Sequence, residues 1–366
     1  MNGATRHDVL VVGGGQAGLV TAALLARAGV DYVVLDAGER PGASWARRWD
    51  SLRLVTPGRY TALPDFPNPW PGAYYPTKDE VAAYLADYAR HHDLIVRHGV
   101  RVDQLSVDNA GVFVASGTHG ATTARRVVVA TGAFHTPFVP DLAHGTAEHI
   151  VQLHSHDYRG PQATPGRRVL VVGGGNSGAQ IALELARDDR EVHLACAGRL
   201  RSVRQAFAAG PALWWMTRTA TLRASGGVLG RRLRMTDPVI GISDADLWAL
   251  GVRVRERVRQ VTGPDAVLAD DTTCRPDTIV WATGYRHDDS WIAVPRALNP
   301  HGALVHDDHR TRIAGLHVIG RPWQRTRGSA LLGFVGDDAR RMVGSILNDR
   351  PATDHRNPVA LEEDHP

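Results

Sequence analysis

Lysine is nearly absent. Lys78 is the single lysine among 42 basic residues, so the formal charge of +4 and the pI near 9.3 are carried by arginine. That arginine is spread along the chain with acids nearby instead of clustering with aromatics on one face, which argues against a nucleic-acid partner. Cysteine is also scarce: Cys196 and Cys274 stand 78 positions apart. There is thus no disulfide framework, no CxxC pair and no metal-ligand spacing, and no metal is expected. Long apolar runs are missing too. The most hydrophobic stretch, Val9–Val30, is broken by glycines and Arg27 and never reaches the run of about 18 residues that a membrane span needs. The expected setting is the cytoplasm, with no membrane partner. At 366 residues, 43% hydrophobic and 22% charged, with mean hydropathy -0.22, the chain can fold as two globular domains.

What the chain does hold is a repeated turn. Gly13-Gly14-Gly15-Gln16-Ala17-Gly18 recurs as Gly173-Gly174-Gly175-Asn176-Ser177-Gly178, 160 positions later. Each copy follows an apolar run (Val9–Val12, Val169–Val172) suited to a buried parallel strand. Each opens a helical segment (Leu19–Ala28, Ala179–Arg187) that leads to a second strand (Tyr32–Asp36, Val192–Cys196). In such a unit the first glycine makes the turn, the second lets the backbone approach a pyrophosphate, and the third lets helix and strand pack closely. The helix N-terminus supplies N–H donors to the phosphates. One such motif is weak evidence; two in the same context point to two dinucleotide sites.

The copies diverge where a ribose would sit. The first ends its second strand at Asp36, whose carboxylate can accept both ribose hydroxyls; the same offset in the second copy is Cys196, followed by Arg199, Arg201 and Arg204. A carboxylate repels a 2′-phosphate and an arginine pairs with it. Copy one therefore suits a dinucleotide with a free ribose. Copy two suits NADPH, with NADH left open by Cys196 and Ala197, unless the arginines are only a solvated loop.

Ala130-Thr131-Gly132 ends a strand-like run, and Ala282-Thr283-Gly284-Tyr285 ends another at Trp281. They fit two chain crossings between the nucleotide domains. The segment 205–245 suits a lid or substrate wall, with core packing or an oligomer contact such as a homodimer as the alternative. The fold expected is α/β, two Rossmann-like doubly wound domains, with the nicotinamide domain (161–284) inserted into a flavin domain (1–160 and 285–350). A disordered tail is expected over 351–366.

Two dinucleotide sites without a nucleophile motif place the chemistry on the cofactors. FAD held by copy one and reduced by a nicotinamide on copy two meets this requirement. The sequence resembles the class B flavin-dependent monooxygenases, the flavin-containing and YUCCA-type enzymes, especially small bacterial members. The resemblance is carried by both glycine motifs, Pro41-Gly42-Ala43-Ser44-Trp45, Tyr75-Pro76-Thr77-Lys78, both Ala-Thr-Gly segments and Arg327–Gly333. It implies that Gly42, Ser44, Trp45, Val102, Ala130 and Leu331 line the flavin and that Ala282, Thr283 and Gly284 line the nicotinamide nucleotide. It further implies that O2 adds to the reduced flavin as a C4a-hydroperoxide, from which one oxygen passes to a soft sulfur or nitrogen nucleophile of a small substrate. The family fingerprint F-x-G-x-x-x-H-x-x-x-[F/Y] is half present: His154 and Tyr158 match, Glu148 and Ile150 do not. Tyr158 in place of Trp argues against the Baeyer–Villiger branch. His154 is expected to couple the domains and handle the nicotinamide, or else to be a structural histidine. Many members carry Asn two residues before the proline matching Pro57, where this chain has Val55; a valine donates no hydrogen bond. That substitution favours the rival reading, an NAD(P)H oxidase or flavin reductase. A non-catalytic redox-sensing flavoprotein is the more distant alternative.

Overall fold

The computed structural model describes residues 6–118, 120–204, 210–211 and 238–349. Most of the 205–245 segment, and all of the expected tail, lie outside the described residues.

Runs of β-branched and apolar residues form strands buried on both faces. Strand β1 (Arg6–Val12) is buried from Val9 onward and leads through the glycine turn to helix α1 (Gln16–Arg27) and strand β2 (Tyr32–Asp36). Helix α2 (Lys78–His91) follows, opened by a capping box in which Thr77 and Glu80 bond each other's backbone N–H. Strands β3 (Val96–His98), β4 (Gln104–Val107), β5 (Phe113–Gly117) and β6 (Gly120–Val129) come next. The chain then enters β7 (Val151–His154), β8 (Arg168–Val172), α3 (Asn176–Arg187), β9 (Glu191–Ala195), β10 (Arg253–Arg255) and β11 (Thr278–Trp281). It returns through β12 (Leu316–Val318) to α4 (Val335–Asn348), the last element among the described residues.

Two parallel sheets result. The first runs β12-β6-β1-β2-β3, with β5 added antiparallel to β6 and β4 antiparallel to β5; the second runs β10-β9-β8-β11-β7. Each has its glycine turn at the end of the central strand, the switch point where open α/β sheets bind ligands. The nicotinamide-type domain is inserted between β6 and β12, as expected. Its edge strand, Val151–His154, lies on the other side of the expected boundary at 160. Four residues are too short for periodicity to mark them as a strand, and only their pairing with β11 assigns them to the second sheet.

Helices α1 and α4 cover one face of the first sheet with Leu19, Leu25, Met342 and Ile346, while Phe113, Ile292 and Leu304 cover the other. Beneath the second sheet's helix lie Ile181, Leu185 and Tyr158. The lone lysine is buried, its Nζ donating to the Ala46 carbonyl at 3.3 Å and pairing with Asp79 at 2.8 Å.

Candidate functional site

The two glycine turns are built alike. Gly13 and Gly173 have φ of 109° and 124°, in a region that a side chain rarely adopts. A Cβ at either would strike the carbonyl that ends the neighbouring strand, Ala130 in one unit and Ala282 in the other. A Cβ at Gly18 or Gly178 would overlap the carbonyl oxygen of Gly13 or Gly173. At Gly15 and Gly175, by contrast, a Cβ would meet nothing within 4 Å. These two residues are the N-caps of α1 and α3, and neither helix start carries the side-chain cap found on α2. Each unit thus presents uncapped helix N–H groups to open space beside a glycine. A pyrophosphate fits such a cradle.

Asp36 ends β2, half-buried, with the His98 Nδ1 at 3.6 Å. Its counterpart Cys196 is buried beside Gly174, and burial first, then the nearby Asp244 and Glu256, push its thiol up to about 11. Cys196 therefore contributes a neutral, small wall. Arg199 is exposed and, among the described residues, makes no side-chain hydrogen bond or ion pair, so it is free to meet a phosphate.

The other expected residues divide between the site and the scaffold. Gly42, at φ 75°, packs against Ala82 of α2, where a Cβ would come within 2.6 Å of the carbonyl oxygen. It holds Trp45 half-buried against the first core and leaves Ser44 exposed. Val102 packs on the cluster around Leu35 and Leu105. The Ala282 N–H donates to Val172 at 2.8 Å, and the Thr283 hydroxyl donates to the Phe138 carbonyl. Tyr158 is fully buried in the second core and donates its hydroxyl to Glu184 of α3 at 3.0 Å. Burial, reinforced by Glu184, raises its pKa. In this structure it is a scaffold residue.

His154 has both ring nitrogens engaged. Nε2 lies 2.9 Å from the Gly284 carbonyl and Nδ1 lies 3.0 Å from the His156 N–H, the pattern of a neutral ring donating from Nε2. Burial lowers its pKa, which keeps it neutral. It ties the end of β7 to the second crossing. The crossings also pair with each other, Thr136–Pro137 against Tyr285–Arg286. Sequence reasoning missed the residue that latches them: Arg48 donates to the Tyr285 hydroxyl at 2.5 Å and the Phe134 carbonyl at 3.2 Å. Its position three residues after Trp45 was the only available signal. A buried ion pair, Arg321 with Asp289 at 2.5 Å, anchors the returning chain just after Gly320, whose Cβ would touch Ala17.

Val55 and Leu331 share one apolar cluster. With Tyr60 they pack on buried Phe334 and Ile240, a small apolar cluster in which Ile240 comes from the inserted domain. Both glycine helices reach it: Gln16 Nε2 donates to the Ala330 carbonyl at 2.8 Å, and Asn176 Oδ1 accepts from the Ile240 N–H at 2.9 Å. Two parallel-sheet domains, each with an uncapped glycine helix tied to one shared apolar cluster, define an oxidoreductase of the two-dinucleotide class.

Comparison with known proteins agrees. The family model described as pyridine nucleotide-disulphide oxidoreductase matches residues 10–209. An uncharacterized oxidoreductase CzcO-like of Geobacillus kaustophilus is 35% identical over 93% of this chain and 98% of its own. Indole-3-pyruvate monooxygenase YUCCA1 of Oryza sativa is 29% identical over 89% of this chain and 86% of its own. A flavin-containing monooxygenase from Stenotrophomonas maltophilia superposes with a TM-score of 0.78 at 28% identity, covering 94% of this chain and 99% of that one. The chain belongs to the pyridine nucleotide-disulphide oxidoreductase family, and its relatives identify it as a class B flavin-dependent monooxygenase. No helix among the described residues is long and apolar enough to cross a membrane.

Proposed function

We propose that this protein uses NADPH, FAD and O2 to transfer one oxygen atom to a sulfur or nitrogen nucleophile of a small organic substrate. The observation that carries the reading is the convergence of both glycine helices on the cluster of Val55, Leu331, Phe334 and Ile240. Bound FAD would supply hydride acceptance and oxygen activation. The chain's own work is positioning. The Gly13–Gly18 turn and α1 hold one pyrophosphate, with Asp36 accepting from the ribose hydroxyls. The Gly173–Gly178 turn and α3 hold the other, with Arg199 pairing with the 2′-phosphate. His154 and Arg48 fix the crossings, and the apolar cluster excludes water from the reacting ends.

Each turnover then converts NADPH, a proton, O2 and substrate into NADP+, oxygenated substrate and water. Val55 favours a second reading, because the valine side chain donates nothing to a bound oxygen species. On that reading the same electrons leave as hydrogen peroxide.

Rapid mixing of NADPH-reduced protein with oxygenated buffer separates the two. Monooxygenation predicts a resolved transient flavin spectrum, distinct from the oxidised and reduced forms, and less than one peroxide per NADPH once a thioether or amine is present. Direct return to oxidised flavin with one peroxide per NADPH would establish the oxidase.

A further inference from the structure

The first residue of each helix, just after Gly15 or Gly175, carries a side-chain amide, and each amide reaches out of the turn to hold a segment remote in sequence. Gln16 bonds the Ala330 carbonyl, 314 positions away, next to Leu331. Asn176 uses both ends: Oδ1 accepts from the Ile240 N–H at 2.9 Å and Nδ2 donates to the Pro238 carbonyl at 3.3 Å. The held pair, Val239–Ile240, is a short strand that pairs with Ser202–Val203. Ile240 is 4% exposed and packs on Phe334, with Val55 and Leu331 beside it. Both ends of one wall are thus fastened to the first residue of a helix whose free N–H groups face the phosphate cradle.

We propose that Gln16 and Asn176 are matched positioning residues and that Asn176 transmits occupancy of the second glycine turn to the wall formed by Ile240. This rests on the two-nucleotide reading above. A nucleotide bound at the N-terminus of α3 orders that helix start. The Asn176 amide, with donor and acceptor both committed, passes the constraint to residues 238–240, and Ile240 holds the apolar wall closed against water. With the wall held, NADPH, a proton, O2 and substrate give NADP+, oxygenated substrate and water. With it loosened, NADPH, a proton and O2 give NADP+ and hydrogen peroxide.

The test uses flavin-loaded wild type, Asn176→Ala and Asn176→Asp. The last keeps the acceptor for Ile240 and loses the donor to Pro238. Amide hydrogen exchange over residues 239–240 is followed without and with NADP+, alongside NADPH KM and peroxide released per NADPH. In wild type NADP+ slows exchange at Ile240. In Asn176→Ala exchange without nucleotide rises about tenfold, the scale of one or two lost hydrogen bonds, and NADP+ no longer slows it. Peroxide per NADPH rises at least about twofold whatever the change in NADPH KM, and Asn176→Asp, which keeps the acceptor for Ile240, retains part of the exchange protection while its carboxylate repels the nucleotide phosphates and raises KM. A variant in which NADP+ still slows Ile240 as in wild type overturns the coupling. So does a raised KM with unchanged peroxide, which would make Asn176 a nucleotide contact alone. A wild type that neither oxidises NADPH nor responds to NADP+ overturns the two-nucleotide reading itself, and the proposal with it.

Discussion

The two glycine units are near-copies in backbone and differ in what their side chains must do. The first is apolar beneath its helix, where Leu24 is buried; the matching position of the second is Glu184, half-buried and bonded by Tyr158. The first ends its second strand on a carboxylate, the second on a buried thiol with arginines beyond. The strand beside the crossing strand of each sheet, β12 on β6 and β7 on β11, carries a buried histidine, His317 in one and His154 in the other, and only His154 has both nitrogens satisfied. On the proposed reading, the shared backbone would bind a pyrophosphate in each unit, and the divergent side chains would decide which nucleotide each holds.

Identical substitutions in the two turns would separate those roles most sharply. Gly15→Leu and Gly175→Leu both place a side chain in open space at an extended backbone, so both variants should fold. The first should purify colourless; the second should stay yellow and show no flavin reduction by NADPH in anaerobic mixing. Flavin absorbance and anaerobic reduction rates read the two losses. Next in size, Arg199→Glu should move the NADPH-to-NADH preference by about tenfold or more, the scale of a charge-assisted hydrogen bond replaced by repulsion. Steady-state kinetics with both nucleotides check this, and an unchanged ratio would place the 2′-phosphate elsewhere.

Tyr158→Phe tests whether that residue is scaffold. It removes one of the two side-chain donors to the Glu184 carboxylate, Ser51 being the other, at a cost of about 1 kcal/mol in thermal or urea unfolding, with turnover unchanged. Burial also holds the Glu184 carboxyl above its ordinary value of 4.5. The folded chain therefore keeps a proton that the unfolded chain releases, and this residue's contribution falls as pH rises past that value. Glu184→Gln should remove the dependence, whereas the first unit, with Leu24, has none to remove.

A further effect is expected in acid. Burial, with His309 stacked alongside, lowers His317 to about 4 from 6.5. Below 6.5 the unfolded chain takes up a proton that the folded one refuses, so stability drops as pH falls toward 4. His317→Asn should flatten that part of the stability profile more than His154→Asn does.

Much of this design was legible in the sequence because a phosphate-binding turn is local: three glycines, a preceding apolar strand and a following helix lie within one short stretch. The crossings were legible as Ala-Thr-Gly stops for the same reason. What escaped was long-range. Nothing in the spacing joins Gln16 to Ala330, Arg48 to Tyr285 or Asn176 to Ile240, since each pair is brought together only by tertiary packing. The half-present fingerprint marked His154 and Tyr158 but not their partners, the Gly284 carbonyl, the His156 N–H and the Glu184 carboxylate, which only the fold brings to them.

The strand order sets a timetable for the growing chain. The second sheet draws all its strands from residues 151–281, a continuous stretch. The first sheet opens with β1 at the N-terminus and waits for β12, residues 316–318, before β6 gains its outer parallel neighbour. On a ribosome that delivers the chain from its N-terminus, the inserted domain can be complete while its host is still an open sheet. The host closes last, when α4 docks on α1.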